Sequence, residues 1–253
     1  QASPSSQEQS GTVETSSIQA ATLLMTSTVG VNSGTCAPSD TVLVRANTAV
    51  YYCFTLRNTG DEALTLLNVR TSLGMNQDLQ SASLAPGATT TLVGANYTNN
   101  TTADATSFIT LTARSQANNA QVEFYGRTFI DIVNPQVSVV KTVGQDRNSC
   151  GSSRLLRIPA GQNASFCISI QNTGDFTLTS HSIVDQPLSI NASNINYVLA
   201  PGATLSIFPS NMASLGINNG SLERANVQSV FANSVTYTGI GVNGISVTGT
   251  STA

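Results

Sequence analysis

The sequence predicts an all-β protein built from two tandem immunoglobulin-like β-sandwich domains of about seven strands each. Three observations carry this prediction. The chain is an internal duplication, its apolar residues alternate with a period of two, and Gly, Pro and Asn interrupt the alternation at short intervals. A length of 253 residues suits two domains of ordinary size.

The duplication is visible as landmarks that recur in one register. Four of them repeat at an offset of 114 residues and a fifth at 115. Chance does not produce several independent matches in one register, so the chain is a tandem repeat. The pairs are Val29-Gly30 with Val143-Gly144, Cys36 with Cys150, Cys53 with Cys167, 58–61 (Asn-Thr-Gly-Asp) with 172–175, and 84–89 (Leu-Ala-Pro-Gly-Ala-Thr) with 199–204.

The repeats divide the chain into three parts. Residues 18–133 form the first repeat and residues 134–253 the second, with the boundary near Asn134-Pro135, where proline favours an extended chain before it. Residues 1–17 have no counterpart ahead of the second repeat. Extended, they span about 55 Å, so we consider two roles: an arm that docks on a neighbouring subunit, and a flexible tether at a processed end.

Strands are predicted wherever apolar side chains occupy every second position. In 164–170, Ala, Phe and Ile alternate with Ser and Cys, and 50–57 follows the same pattern in the first repeat. Further strands are predicted at 64–70, 89–93, 108–114 and 122–132. No segment has convincing helical spacing and caps.

Composition excludes several classes of function. Only 9% of residues are charged and the net charge is −3, which argues against a nucleic-acid partner because phosphate binding needs a basic face. No apolar run reaches the roughly 18 residues of a membrane-spanning helix. A hydroxyl-rich chain with one lysine and no tryptophan is typical of secreted β-proteins.

The turn motifs resemble a known family. The segments 52–61 and 84–88, and in the second repeat 140–144, 158–162, 172–175 and Val184-Asp185, are similar to the "domain of unknown function eleven" repeats of bacterial and archaeal surface proteins. The resemblance covers about residues 18 to 250. It implies an extracellular immunoglobulin-like repeat of stalks, sheaths, adhesins and fibres. The first repeat departs from the pattern, with Ser27 at the position of Lys141.

Four cysteines form two pairs, each 17 positions apart and each inside one repeat. Four cysteines allow three connectivities, and the duplication favours Cys36–Cys53 and Cys150–Cys167. Free thiols and metal ligation are the weaker alternatives. Because Cys53 and Cys167 fall on the polar side of their strands, each bond is expected to clip a loop to the outside of its sandwich. Disulfides imply an oxidising compartment.

Six Asn-X-Ser/Thr sequons are candidates for N-linked glycosylation. Composition alone predicts about this number of sequons, so the number is not informative. Their clustering in the polar stretch 96–102 is a better indication of glycosylation, because this stretch is expected to be an exposed loop. The alternative is a solvated loop of small hydrogen-bonding residues. The sequons begin at Asn96, Asn99, Asn100, Asn163, Asn191 and Asn219.

No residue pattern predicts an enzyme, a resident metal or a cofactor. His181, the single histidine, lies four residues from Asp185 without a nucleophile elbow, and is expected at the surface or rim. Asp146 and Asp185 lack the spacing of a calcium loop. The chain has no Trp to line a sugar-cleaving cleft.

Lys141 raises one further possibility, because surface-fibre domains can carry lysine isopeptide cross-links beside a catalytic carboxylate. Asp185 or Asn172 are the partners considered in the second repeat, and Ser27 excludes the bond in the first. The alternative is a surface lysine whose stem lies along the sandwich.

The favoured function is a non-catalytic, secreted structural protein: the subunit of a cell-surface filament, fibre or sheath that polymerises with itself head to tail. Covalent glycans are considered as a modification of it. The alternatives are an adhesin or carbohydrate-binding stalk module, and an accessory domain of a longer enzyme. An adhesin is expected to show an aromatic platform or a metal loop.

Overall fold

The computed structural model describes residues 21–98 and 103–253. The protein is nearly all-β, with 56% of the described residues in strands. The helical structure of the described residues is limited to three three-residue 3-10 turns at Gln186–Leu188, Ala213–Leu215 and Val242–Gly244. The predicted extension at residues 1–17 and the sequons at Asn99 and Asn100 lie outside the described residues.

Each repeat contributes eight strands to the described chain, against about seven predicted. The first repeat holds β1 (Leu23–Gly30), β2 (Thr41–Val44), β3 (Ala49–Asn58), β4 (Leu64–Thr71), β5 (Asn76–Leu84), β6 (Thr89–Thr98), β7 (Ala105–Ser115) and β8 (Gln121–Ile132). The second holds β9 (Val137–Gly144), β10 (Ala164–Asn172), β11 (Leu178–Asp185), β12 (Ile190–Leu199), β13 (Thr204–Ile207), β14 (Glu223–Arg224), β15 (Ser234–Gly241) and β16 (Ser246–Thr252).

The strand order is duplicated along with the sequence. In the first repeat the order β1-β3-β6 forms one sheet and β5-β4-β7-β8 another, with β2 parallel to β8. In the second repeat β9 and β13 flank β10, which also pairs with β14, while β12-β11-β15-β16 forms the other sheet. The described residues group into two compact units. The second unit holds the strands of the second repeat together with β2 and the last residues of β8.

The core of the second unit lies between its two sheets. Phe166, Ile168 and Ile170 of β10 belong to the same buried apolar cluster as Ile183 of β11 and Tyr237 of β15. Residues from both sheets thus form a single core, which is the arrangement of a β-sandwich. Burying these apolar faces away from water is the main favourable contribution to folding.

In the first unit, the alternate positions of β3 that the sequence predicts as inward are buried: Val50, Tyr52, Phe54 and Leu56. The alternation of apolar and polar residues in β3 therefore predicts correctly which face of the strand packs inward. The Asn-Thr-Gly-Asp turn follows this strand at once.

The recurring Asn-Thr-Gly-Asp turn is held by a buried asparagine. Asn58 donates from Nδ2 to the carbonyl oxygens of Glu62, at 2.8 Å, and Leu84, at 2.9 Å, and its Oδ1 accepts from the Gly60 N–H. Asn172 makes the same three bonds in the second repeat, to Phe176, Leu199 and Gly174. One side chain thereby joins two sequence landmarks, the turn and the Leu-Ala-Pro-Gly-Ala loop.

Replacing Asn172 with alanine should lower the free energy of unfolding by about 3 kcal/mol, because two buried carbonyl groups lose their donor. Urea unfolding of the oxidised protein measures the change. The exposed Asn196 of β12 provides the control, since Asn196→Ala should change stability by less than about 0.5 kcal/mol. Equal midpoints for the two variants would contradict the structural role given to this amide.

Candidate functional site

The four cysteines form one disulfide in each repeat. Cys36 is bonded to Cys53 and Cys150 to Cys167, with Cα atoms 5.4 and 5.1 Å apart. Cys36 and Cys150 lie in exposed loops after the first strand of each repeat. Cys53 and Cys167 sit on the predicted polar face of their strands and are nevertheless buried.

The described sequons occupy different settings. Asn163, Asn191 and Asn219 are exposed. The Nδ2 atom to which a glycan would attach donates to Glu223 from Asn163, at 3.1 Å, and to the Asn191 carbonyl from Asn219, at 2.6 Å. Asn96 lies within β6. N-linked glycosylation at these positions stays a prediction.

His181 is buried, not at the surface or rim as its sequence context suggested. Its Nε2 donates to the Tyr197 carbonyl at 2.9 Å, which leaves Nδ1 to accept from the Tyr237 hydroxyl at 2.6 Å. Burial lowers the pKa of His181 and raises the pKa of Tyr237. The imidazole is therefore a neutral, fully hydrogen-bonded core group.

Lys141 is also fully buried, which corrects the expectation of a surface lysine. It lies on the inward face of β9 between Val139 and Val143, and its side chain and that of Asp185 are both 0% exposed. The Lys141 Nζ atom donates to Asp185 Oδ2. The second repeat therefore contains a lysine–carboxylate pair inside an apolar core, where charge is costly to hold.

The surroundings of the pair are apolar on one side and hydrogen-bonded on the other. The Lys141 Nζ atom lies 5.1 Å from the centre of the Phe166 ring. Asp185 Oδ1 accepts from the Leu188 N–H at 3.3 Å. Burial lowers the pKa of Lys141, and the hydrogen bond to Asp185 opposes this effect only in part. The environment thus favours the uncharged amine more than water does.

Asn233 is another buried polar residue of the second unit, and no sequence pattern pointed to it. Its side chain is 1% exposed, and neither Oδ1 nor Nδ2 has a hydrogen-bond partner among the described residues. Its backbone is fixed, since its N–H and C=O both bond to Ala253, at 2.8 and 2.9 Å. A fully unpartnered buried amide costs stability and calls for an explanation.

Strand register brings these residues together. Val184 of β11 pairs with Thr236 of β15, so the next residue, Asp185, faces Val235. Asn233 precedes Val235 by two positions and shares its inward face. Lys141 approaches from β9, where its backbone N–H donates to Ser251, and Ser251 pairs with Val235. We call Lys141, Asp185 and Asn233 the buried triad.

The first repeat has no ionisable group at the equivalent positions. Ser27 replaces Lys141 and Thr71 replaces Asp185, each at the offset of 114 residues. Thr71 pairs with Ile109 of β7, and Ser107, two positions before Ile109, replaces Asn233. Ser107 and Thr71 are buried. The triad therefore changes as a set between the repeats.

The other sequence candidates lie elsewhere. Asn172, one of the two partners considered for Lys141, is held by the turn. Asp146 accepts hydrogen bonds from Asn148 and Ser149 in its own loop, whereas Asp185 is paired with Lys141. In the part of the chain that is described, no group of three or more His, Cys, Asp or Glu side chains is placed to hold a metal ion.

An open groove of about 530 Å³ in the second unit is lined by apolar side chains and by polar ones, among them Arg154 and Arg157. Its walls include Phe166, Phe231 and Ala253, and its rim includes Leu155 and the fully exposed Val230. Phe231 packs against Phe166 and under the Arg224 guanidinium, which lies 4.7 Å from its ring centre. The groove thus borders the ring that contacts Lys141.

The chain is a nearly all-β protein with a disulfide in each repeat, and disulfides persist in oxidising compartments. Within the described residues no helix is long and apolar enough to cross a membrane. No protein-family model matches the chain, and no curated protein matches it in sequence.

Solved structures match at low similarity. They include the YadV chaperone (8% identity, TM-score 0.30, covering 91% of this chain and 99% of that one) and the E. coli chaperone DraB (8%, 0.27, 92% and 96%). The secreted serine protease VesC from Vibrio cholerae also matches (14%, 0.27, 66% and 42%). Such TM-scores support no conclusion about this chain.

Stability should fall as the pH drops below the ordinary histidine pKa of about 6.5. The unfolded chain then takes up a proton that folded His181 resists, because burial lowers its pKa. The loss ends once the pH passes below the folded pKa. Its slope is at most about 1.4 kcal/mol per pH unit.

The experiment is urea unfolding between pH 7.5 and 5.5, a window in which His181 is the single titrating side chain by ordinary pKa values. His181→Gln keeps a donor and an acceptor and should flatten the profile. An equally steep profile in this variant would show that another group causes the effect.

Proposed function

We propose that this chain is a non-catalytic extracellular structural protein, the subunit of a surface filament, fibre or sheath assembled head to tail. The observation that carries the proposal is the repetition of one disulfide-bonded β-sheet unit. Each repeat has its own pair of sheets and its own disulfide. Each also has its own buried asparagine, Asn58 or Asn172, that holds the turn after the central strand. Units of this kind transmit load through covalent and buried contacts.

Bulges in two edge strands disfavour lateral pairing between subunits. β5 and β12 are edge strands in the order given above, and an open edge invites pairing with another chain. Both contain bulges where the register shifts, with left-handed residues at Gln80 and Ser81 in β5 and Asn194 in β12. Bulges interrupt the regular ladder that lateral pairing needs.

A contact that repeats from subunit to subunit without closing produces an open filament. We assign this contact to residues 1–17, as an added strand that completes a sheet edge of the neighbouring subunit. The filament proposal does not depend on this assignment, which is tested separately.

Negative-stain electron microscopy of the purified, oxidised protein should show beaded or helical fibres. Deleting residues 1–17 should leave a folded monomer with the circular dichroism of the full chain and no fibres. A Gly/Ser segment of equal length in place of residues 1–17 is the control for chain length, and it should also remain monomeric.

Dispersed particles of the full chain under all oxidising conditions tried would overturn the filament proposal. Fibres formed equally well by the deletion variant would overturn the role of residues 1–17 alone.

The groove favours a second candidate, an adhesin or carbohydrate-binding module, because two aromatic rings line it. If this function holds, glycan-array binding by the full chain should be lost in Val230→Glu, which places a charge on the groove rim. Val198→Glu changes an exposed valine of β12 that does not line the groove and should bind normally. Absence of binding by the unmodified chain would reject this candidate.

A further inference from the structure

The unpartnered amide of Asn233 lies at the end of the core that holds the Lys141–Asp185 pair. A buried amine, a buried carboxyl and a buried amide with no hydrogen bond form a reactive set. We propose that Lys141 and Asn233 become joined by an intramolecular isopeptide bond between Nζ and Cγ, with Asp185 as the proton-transfer group. This bond links β9 to the segment entering β15 and is independent of filament formation.

The nucleophile is the Lys141 amine. An amine attacks a carbonyl carbon only in its uncharged form, and burial lowers the pKa of Lys141 toward that form. The Phe166 ring excludes water on one side of Nζ. Asp185, in hydrogen-bonding contact with Nζ, is placed to take the proton that the amine must lose.

The electrophile is the Asn233 side chain. No described residue donates to its Oδ1, so that oxygen is available to accept a proton or hydrogen bond from the Asp185 carboxylic acid as charge develops. Backbone bonds to Ala253 hold the residue in place. The backbone therefore holds the Asn233 amide in place, and no hydrogen bond from a described residue competes with the reaction.

The reaction balances without any further reactant. The Lys141 ammonium first gives a proton to the Asp185 carboxylate. The neutral amine attacks Asn233 Cγ, and the Nζ–Cγ bond forms as the Cγ–Nδ2 bond breaks. Asp185 relays one Nζ proton to the departing Nδ2, which leaves as ammonia. Asp185 remains protonated, so the products carry no charge in the core.

A bond from Lys141 to Asn233 can be told apart from a bond to Asn172 or Asp185, the two partners considered from the sequence. Asn172 is fully engaged at its turn and is excluded. Direct condensation of Lys141 with Asp185 would release water instead of ammonia and would leave Asn233 unmodified. The mass lost therefore identifies the partner.

The decisive measurement is a tryptic digest of the reduced full-length protein, analysed by mass spectrometry. Trypsin cleaves after a free lysine but not after an acylated one. We expect the segment 128–147, uncleaved at Lys141, joined to the segment 225–253, with a mass smaller by one ammonia than the sum of the two. Intact mass alone is insufficient, because cyclisation of Gln1 also releases ammonia.

Asp185→Asn and Asn233→Ala should each yield the two segments unlinked, with cleavage after Lys141. Asn226→Ala is the matched control: it removes an asparagine from the same tryptic segment, and the cross-link should persist. Because a core variant can fail to fold, the unmodified protein provides the primary result. Free Lys141 in its digest, or a Lys141–Asp185 link with loss of water, would overturn the proposal.

Discussion

A polar group buried in a protein must find its hydrogen-bond partners inside the fold, and this constraint organises both repeats. Asn58 and Asn172 meet it completely: each uses two donors and an acceptor to tie a turn to the loop that follows the next strands. His181 meets it with Tyr237 and the Tyr197 carbonyl. The Asn233 side chain has no such partner among the described residues. This lack of hydrogen bonds is what distinguishes the amide that we propose to be reactive from the two structural ones.

The strands that the sequence predicted are those in which apolar and polar residues alternate. This alternation located β3, β4, β7, β8 and β10 within a few residues. β5 and β12 were missed for a physical reason: both are bulged edge strands, so most of their residues are exposed and bulges shift the inward parity. Short β2 and β14 offer too few residues for any periodicity.

The site was harder to predict than the fold. Lys141 alternates in step with Val139 and Val143, so the pattern of β9 did place it on the inward face. Lysine is so rarely buried without a partner that a surface position was nevertheless the better prediction. Its partner Asp185 is 44 positions away, and no local pattern reports that distance. Asn233 follows Phe231-Ala232 without any motif, and only the register of β11 with β15 reveals its position.

The two repeats solve one packing problem in two ways. At the three positions of the triad, the first repeat has the small neutral residues Ser27, Thr71 and Ser107. The second repeat has an ion pair and an amide there. Holding two charges in an apolar core costs several kcal/mol before their attraction is counted. Conversion of the lysine and the amide to an isopeptide removes both charges, because the carboxyl keeps the proton that the ammonium gave up. After the proposed reaction the triad carries no charge, and the second repeat has a covalent bond between its two sheets at this position. The ion pair is then the precursor state that the fold assembles, and its cost is relieved by the chemistry it enables.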